Sequence, residues 1–105
     1  MDENKLQELQ ILEQKLQNSM LQKQAFQMEL AETNSGLKEL EKSSDEVFKI
    51  IGQLMIKSEK RKIQEELLSK QKILELKIKT FDKQENSLAE QVEKIREELT
   101  KSVEK

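Results

Sequence analysis

The segment D-E-V-F-K-I-I-G-Q-L-M-I-K-S, Asp45–Ser58, decides the fold of this chain. Seven of its residues are apolar, although only 34% of the 105 residues are hydrophobic. Val47–Ile51 and Leu54–Lys57 are rich in β-branched and aromatic residues, which favour strands. Gly52-Gln53 between them fits a two-residue type II′ turn, because glycine takes a positive φ without strain. The pattern predicts one β-hairpin over residues 46–57.

Each side of the hairpin is predicted to be one long helix. The chain has no proline, and apolar residues recur at the a and d positions of a heptad on both sides. We expect helices over residues 3–42 and 59–103, with Ser43–Asp45 ending the first helix and Ser58 as the N-cap of the second. Gly36 weakens the first helix by about 1 kcal/mol. The heptads nevertheless continue past it.

The a and d positions of both helices form what we call the seam. In the first helix the seam contains Leu9, Leu12, Leu16, Ser19, Lys23, Phe26, Leu30, Thr33, Leu37 and Leu40. In the second helix it contains Leu67, Gln71, Leu74, Ile78, Phe81, Glu85, Leu88, Val92, Ile95 and Leu99.

The two halves of the seam match when the helices run antiparallel and the facing residue numbers add up to 104, as for Leu12 and Val92. The midpoint of this register is residue 52, which is Gly52 in the hairpin. The register therefore predicts a chain reversal at the place where the turn is expected. The alternative is one continuous helix of more than about ninety residues. Such a helix would not bring the two matched halves of the seam together within the chain.

The polar residues of the seam also meet in this register. Ser19 faces Glu85, and Thr33 faces Gln71. A slip of one heptad would bury polar groups against apolar ones at a cost of about 1–3 kcal/mol each. Lys23 faces Phe81, and we expect its amine to reach water. The sequence therefore specifies the register.

The predicted hairpin is apolar on both faces. A two-helix coiled coil cannot cover both faces and both strand edges, and a lone hairpin is marginal in water. We therefore expect other subunits to pair with it or cover it, because exposed apolar edges aggregate. The predicted assembly residues are Val47, Phe48, Ile50, Ile51, Gly52, Leu54, Met55 and Ile56.

Three segments together resemble the β-type subunits of prefoldin, a hexameric co-chaperone of archaea and eukaryotes. They are Q-K-Q-A-F-Q-M-E-L (Gln22–Leu30), V-F-K-I-I-G-Q-L-M-I-K (Val47–Lys57) and L-E-L-K-I-K-T-F-D-K-Q-E (Leu74–Glu85). The resemblance implies a mainly α fold with a single prefoldin-like domain over residues 1–105. It also implies that the hairpin joins an intersubunit β-barrel and that the antiparallel coiled coil projects from this barrel as a tentacle.

The same resemblance implies a function and a set of partners. Two α-type and four β-type subunits would form the hexamer. The hexamer would capture non-native proteins at the tips of the coiled coils without nucleotide or cofactor and deliver them to a group II chaperonin.

The residues offer a candidate surface for such client proteins. A chain that reverses at Gly52 places both termini at the far end of an arm of roughly 60 Å, at about 1.5 Å per helical residue. Apolar residues near that end fall off the seam, and flexible methionine suits varied partners. Single exposed apolar residues are common, so they indicate a site only as a group. With neighbouring seam residues, the candidates are Leu6, Leu9, Ile11, Leu12, Met20, Leu21, Leu99 and Val103.

Other classes of function find little support in the sequence. A net charge of −2 disfavours nucleic acid and anionic membranes, and the basic cluster Lys57–Lys62 is followed by Glu65 and Glu66. No catalytic or metal-ligating pattern occurs, and His and Cys are absent, so we expect neither an enzyme nor a metal site. The N-terminal M-D-E-N-K has no signal-peptide core, which predicts a cytoplasmic protein. A structural coiled-coil tether without client binding and a nucleic-acid-binding coiled coil remain as alternatives.

Overall fold

A computed structural model describes the backbone of residues 3–104 and the side chains of residues 3–101. The chain forms α1 (Glu3–Lys42), β1 (Glu46–Ile51), β2 (Leu54–Glu59) and α2 (Lys60–Glu104). This confirms the predicted class of two long helices joined by one central hairpin. The contacts divide the chain into two compact units. Unit 1 contains the chain up to Ala25 and from Lys77 onward, and unit 2 is Phe26–Leu76.

The hairpin of unit 2 has the predicted two-residue turn. β1 and β2 pair antiparallel, and Ile51 pairs with Leu54 on either side of Gly52-Gln53. Gly52 has a φ of 59°, and among the described residues none other than glycine has a positive φ. A type I′ turn would need a positive φ at both central residues, so the turn belongs to type II′.

The start of α2 differs from the prediction. Ser58 was expected to be its N-cap, but Ser58 pairs with Val47 in the sheet, and the ladder continues to the pair Glu46 and Glu59. Because the strand holds Ser58 extended, the helix begins at Lys60, one residue later than predicted. The amide of Lys60 donates a hydrogen bond to the carbonyl of Asp45 at 3.1 Å, which joins the helix start to the start of β1.

The end of α1 is closed by polar side chains. The Ser43 hydroxyl donates to the Leu40 carbonyl at 2.8 Å. The Lys60 ammonium donates to the Ser43 carbonyl at 3.0 Å and to the Glu41 carbonyl at 3.4 Å. A cation at this end also complements the partial negative charge of a helix C-terminus. The segment Ser43–Asp45 therefore ends α1, as predicted.

The seam forms the apolar core of unit 1. Leu12, Leu88, Val92 and Ile95 make one buried cluster, and half-buried seam leucines pack against it. These leucines are Leu9, Leu16 and Leu99. Full burial of a leucine or isoleucine side chain stabilises a fold by about 1.5–3 kcal/mol. The heptad pattern thus correctly predicted the residues that hold this unit together.

The seam of unit 2 changes its spacing towards the hairpin. Leu40 and Leu74 are buried, as the heptads predict. Before Leu67, however, the half-buried residue is Ile63, four positions earlier, while Gln64 at the heptad position is exposed. Strict heptads would place the preceding seam residue three positions before Leu67, whereas the structure places it four positions before. Such a change of spacing is a stutter, which locally unwinds the supercoil of two helices.

The polar residues of the unit 2 seam are satisfied, but not by the partners they face in the register. Thr33 is buried, and its hydroxyl donates to the Glu29 carbonyl of its own helix at 2.9 Å. Gln71 instead donates from Nε2 to Asn34 Oδ1 at 2.7 Å. The sequence correctly placed a polar layer here, but it did not predict these two bonds.

Unit 1 contains a charged layer where the sequence predicted a lysine amine in water. The Lys23 ammonium lies 2.6 Å from Glu85 Oε2 and 2.9 Å from Asp82 Oδ1. These hydrogen bonds raise the pKa of Lys23 above its usual range, and the bond to Glu85 has the larger effect. Ser19 is only 5% exposed, and its hydroxyl has no hydrogen-bond partner among the described residues.

Candidate functional site

The first candidate surface is the hairpin face that carries alternate residues of the two strands. Pairing places Phe48 beside Lys57 and Ile50 beside Met55 on this face. The side chains of Phe48, Ile50 and Met55 are 61%, 70% and 67% exposed. Three large apolar side chains on one small sheet, with free strand edges beside them, form a surface suited to pairing with another chain.

The opposite hairpin face is partly covered at one end. Val47 and Lys49 are half-buried, and the Lys49 ammonium lies 2.8 Å from Glu66 Oε2 of α2. This hydrogen bond lowers the pKa of the Glu66 carboxyl below its usual range. Near the turn the same face is open, because Ile51, Leu54 and Ile56 remain exposed. All eight predicted assembly residues thus lie in the hairpin, and six of them are large exposed apolar side chains.

The second candidate surface lies on α1 within unit 1. Four residues predicted to fall off the seam are about half exposed; we call them the off-seam surface: Leu6, Ile11, Met20 and Leu21. None of them is needed to fill the buried cluster of this unit. Apolar side chains left at the surface can contact apolar segments of another protein.

The other predicted client residues are placed differently. Leu12 is buried in the seam, and Leu9 and Leu99 are half-buried against the same cluster. Their main role in the structure is therefore to hold the helices together. Val103 is in α2, but its side chain lies outside the described residues.

Sequence reasoning missed four exposed apolar residues of unit 2. They are Met28 on α1 and Leu68, Ile73 and Leu76 on α2. All four fall off the heptad seam, so the scan that found the off-seam surface would have found them if it had covered the middle of the chain. Ile63 was missed for another reason: the predicted seam began at Leu67, and strict heptads continued before it would lead to Gln64 rather than to Ile63.

The basic cluster Lys57–Lys62 is largely engaged within the chain. Lys57 lies 2.9 Å from Glu46, Arg61 lies 3.7 Å from Glu65, and Lys60 binds the end of α1. Within residues 3–104 no group of His, Cys, Asp or Glu could hold a metal ion. No helix in the same range is long and apolar enough to cross a membrane.

Comparison with known proteins assigns the arrangement of helix, exposed hairpin and helix to a family. A family model described as "Prefoldin subunit" matches residues 3–105. The chain belongs to the prefoldin family. The resemblance found in the sequence is therefore confirmed.

Individual prefoldin relatives agree with this assignment. The prefoldin subunit beta of Pyrobaculum calidifontis is 37% identical over 92 residues, which cover 86% of this chain and 74% of that protein. The prefoldin subunit beta of Methanothrix thermoacetophila is 33% identical over 103 residues, covering 96% of this chain and 86% of that protein. Both comparisons place the chain with the β-type subunits of the prefoldins.

A solved prefoldin structure has the same fold. The crystal structure of the prefoldin beta subunit from Thermococcus strain KS-1 superimposes with a TM-score of 0.85 at 32% identity. The match covers 94% of this chain and 89% of that chain. Two long helices and a central hairpin are therefore a fold that this chain shares with a β-type prefoldin subunit.

Proposed function

We propose that this chain is the β-type subunit of an ATP-independent co-chaperone that holds non-native proteins and delivers them to a group II chaperonin. Residues 1–105 act as one prefoldin-like domain, and two α-type subunits join four copies of this chain in a hexamer. A cytoplasmic location remains a prediction. Membership of the prefoldin family supports the chaperone role.

The observation that carries the proposal is the exposed apolar hairpin. Phe48, Ile50 and Met55 on one face, and Ile51, Leu54 and Ile56 on the other, are large apolar residues that remain 45–70% exposed. A small sheet with two apolar faces and two open edges is stable when hairpins of other subunits extend and cover it, as in a barrel. The hairpin is thus the assembly element in this proposal.

The first experiment measures the molar mass by light scattering after size-exclusion chromatography. The chain is measured alone and after mixing with an α-type prefoldin subunit from the same source. A hexamer on mixing is the expected result. A dimer or tetramer that ignores the α-type subunit would favour a structural tether instead.

The matched variants are Ile50→Lys in the hairpin and Ile73→Lys on α2, two exposed isoleucines that receive the same charge. Ile50→Lys should prevent the hexamer, because it places a charge in the apolar face that other subunits cover. Ile73→Lys should leave the hexamer intact. A normal hexamer with Ile50→Lys would show that the hairpin is not the assembly element.

Client capture is assigned to the off-seam surface. The test variant changes two exposed leucines, Leu6→Ser with Leu21→Ser, which spare the buried cluster. The control changes the exposed leucines of unit 2, Leu68→Ser with Leu76→Ser. The readout is aggregation of a chemically denatured test protein diluted into the hexamer without ATP.

The test variant should protect the client less than the control does, while both remain hexamers. Equal protection by all forms would remove the off-seam surface from the proposal. Loss of the hexamer in the test variant would assign Leu6 and Leu21 to assembly rather than to client capture.

A further inference from the structure

Unit 1 places one charge from each helix in its apolar seam. The side chains of Lys23 and Glu85 are each only 20% exposed, and the Lys23 ammonium also reaches the more exposed Asp82 carboxylate. Lys23 and Glu85 are the only charged residues among the predicted seam positions. An apolar pair at these positions would bury more hydrophobic surface, so the burial of apolar area does not explain the charges.

We propose that the cluster of Lys23, Glu85 and Asp82 is a pairing-specificity element that makes α1 accept α2 in one register and reject a helix of its own kind from another copy. The apolar seam residues alone discriminate weakly, because leucine and isoleucine side chains repack readily against one another. A buried polar contact discriminates by the cost of losing its partner.

A slip of one heptad towards smaller residue numbers in α2 separates the charges. The facing residue numbers then add up to 97 instead of 104, so Lys23 moves opposite Leu74 and Glu85 moves opposite Leu12. Both half-buried charges then face leucines, and their present hydrogen bonds are lost. The opposite slip keeps Lys23 near Glu85 but moves it away from Asp82.

Pairing of like helices is excluded by the same residues. Two parallel copies of α1 in register place Lys23 against Lys23, and two parallel copies of α2 place Glu85 against Glu85. Two antiparallel copies of α2 with matched seams place Glu85 opposite Phe81. Unlike these pairings of like helices, the observed pairing of α1 with α2 gives both charges an opposite partner.

Disulfide trapping can test this proposal because the chain contains no cysteine. A matched pair, Leu12→Cys with Val92→Cys, reports the observed register. A shifted pair, Leu9→Cys with Leu88→Cys, reports the slip of one heptad that separates the charges, since Leu9 faces Ile95 in the observed register and Leu88 lies seven residues before Ile95. A single Leu16→Cys reports pairing of two α1 helices as an intermolecular disulfide.

Each reporter is placed in the full chain with and without Lys23→Leu and Glu85→Leu, and oxidised in a glutathione buffer. In the parent chain the matched pair should dominate. In the double-leucine variant, disulfide from the shifted pair or from the single cysteine should rise by at least about tenfold relative to the parent. Disulfides at the parent level in a variant that keeps its helical circular dichroism would overturn the proposal.

Two further variants keep the test decisive. Glu13→Leu with Arg96→Leu removes an exposed ion pair of 3.2 Å between the same helices and should leave all three reporters unchanged. An equal rise in this control would show that added leucine, and not loss of the seam charges, relaxes the pairing.

If the double-leucine variant does not fold, the exchange Lys23→Glu with Glu85→Lys replaces it. The exchanged chain should give the same disulfides as the parent, whereas Lys23→Glu alone should raise the disulfide of the shifted pair. No rise with Lys23→Glu alone would overturn the proposal.

Discussion

The seam and the hairpin use the same kinds of side chain but differ in how much of that surface the chain covers. Leu12 and Val92 in the seam are 9% and 4% exposed, whereas Ile50 in the hairpin is 70% exposed. A helix presents one apolar stripe, and a second helix of the same chain covers it. A two-stranded sheet presents two faces and two edges, and two helices cannot cover all of them. The seam is therefore complete within one chain, and the hairpin is not.

The largest effect is expected when a buried residue of the seam is truncated. Leu74 is 3% exposed, and Leu74→Ala should lower the free energy of unfolding by about 2–5 kcal/mol, because it removes buried methyl groups and leaves a cavity. Urea denaturation followed by helical circular dichroism measures the change.

The matched hairpin change is Ile50→Ala, measured under the same conditions on the isolated chain without an α-type subunit. Because Ile50 is exposed, its truncation should alter the stability of the chain by no more than about 0.5 kcal/mol. A loss as large as that of Leu74→Ala would mean that the hairpin is already covered within one chain, and the contrast would fail.

The next effect concerns the turn. Gly52 has a φ of 59°, and an added Cβ would meet no atom within 4 Å. The cost of Gly52→Ala therefore comes from the backbone alone, at about 1–2 kcal/mol. Urea denaturation of the isolated chain should show this loss, and hexamer formation should also weaken if the turn shapes the assembly element. Unchanged stability would show that the turn can adopt another type without cost.

A smaller change of opposite sign is expected at the other glycine. Gly36 lies within α1, and a Cβ there would meet Leu67 Cδ1 at an ordinary 3.6 Å. Gly36→Ala should therefore raise the stability by about 0.5–1 kcal/mol, since it removes backbone freedom from the unfolded chain. The midpoint of urea denaturation measures the gain, and a decrease would indicate that the helix packing here needs a closer approach than the structure has.

The smallest effect is the pH dependence of the contact between hairpin and helix. The folded pKa of Glu66 is lowered by Lys49, so the contact stabilises the folded state above the ordinary glutamate pKa and is lost as the pH falls through the lowered value. Lys49→Gln should thus lower the melting temperature near neutral pH slightly and leave it unchanged in acid. The effect is small because both side chains are over 40% exposed. A constant difference between the two proteins at every pH would assign the loss to packing.

The features of this fold that follow from a periodic apolar pattern were predicted from the sequence. The features that depend on a single contact were not. Heptad spacing identified the buried seam, and the apolar pattern around Gly52 identified the hairpin, because both follow from the periodicity of helices and strands. The start of α2 was misplaced, since Ser58 suits a helix cap and a strand end equally well, and only sheet pairing decides between them.

The candidate site was predictable to the same degree. The off-seam surface followed from Leu6 and Met20 lying outside the heptads, whereas the seam stutter that exposes Gln64 and half-buries Ile63 depends on how the helices meet near the hairpin. The bonds of Lys23 to Asp82 and Glu85 also required coordinates. A long flexible side chain has several carboxylates within reach, and the heptad does not choose among them.

The position of Lys60 couples the folding of helix and hairpin. Lys60 is the first residue of α2, and the two strands separate it from α1 in the sequence. Its side chain nevertheless closes the end of α1, because it binds the carbonyls of Glu41 and Ser43. While the strands are apart, this ammonium is far from those carbonyls, and the last turn of α1 frays. Pairing of the two strands therefore forms the hairpin and, in the same step, brings the Lys60 ammonium to the end of α1 to complete the cap. Nascent chains should therefore complete the cap of α1 only after residue 60 has left the ribosome.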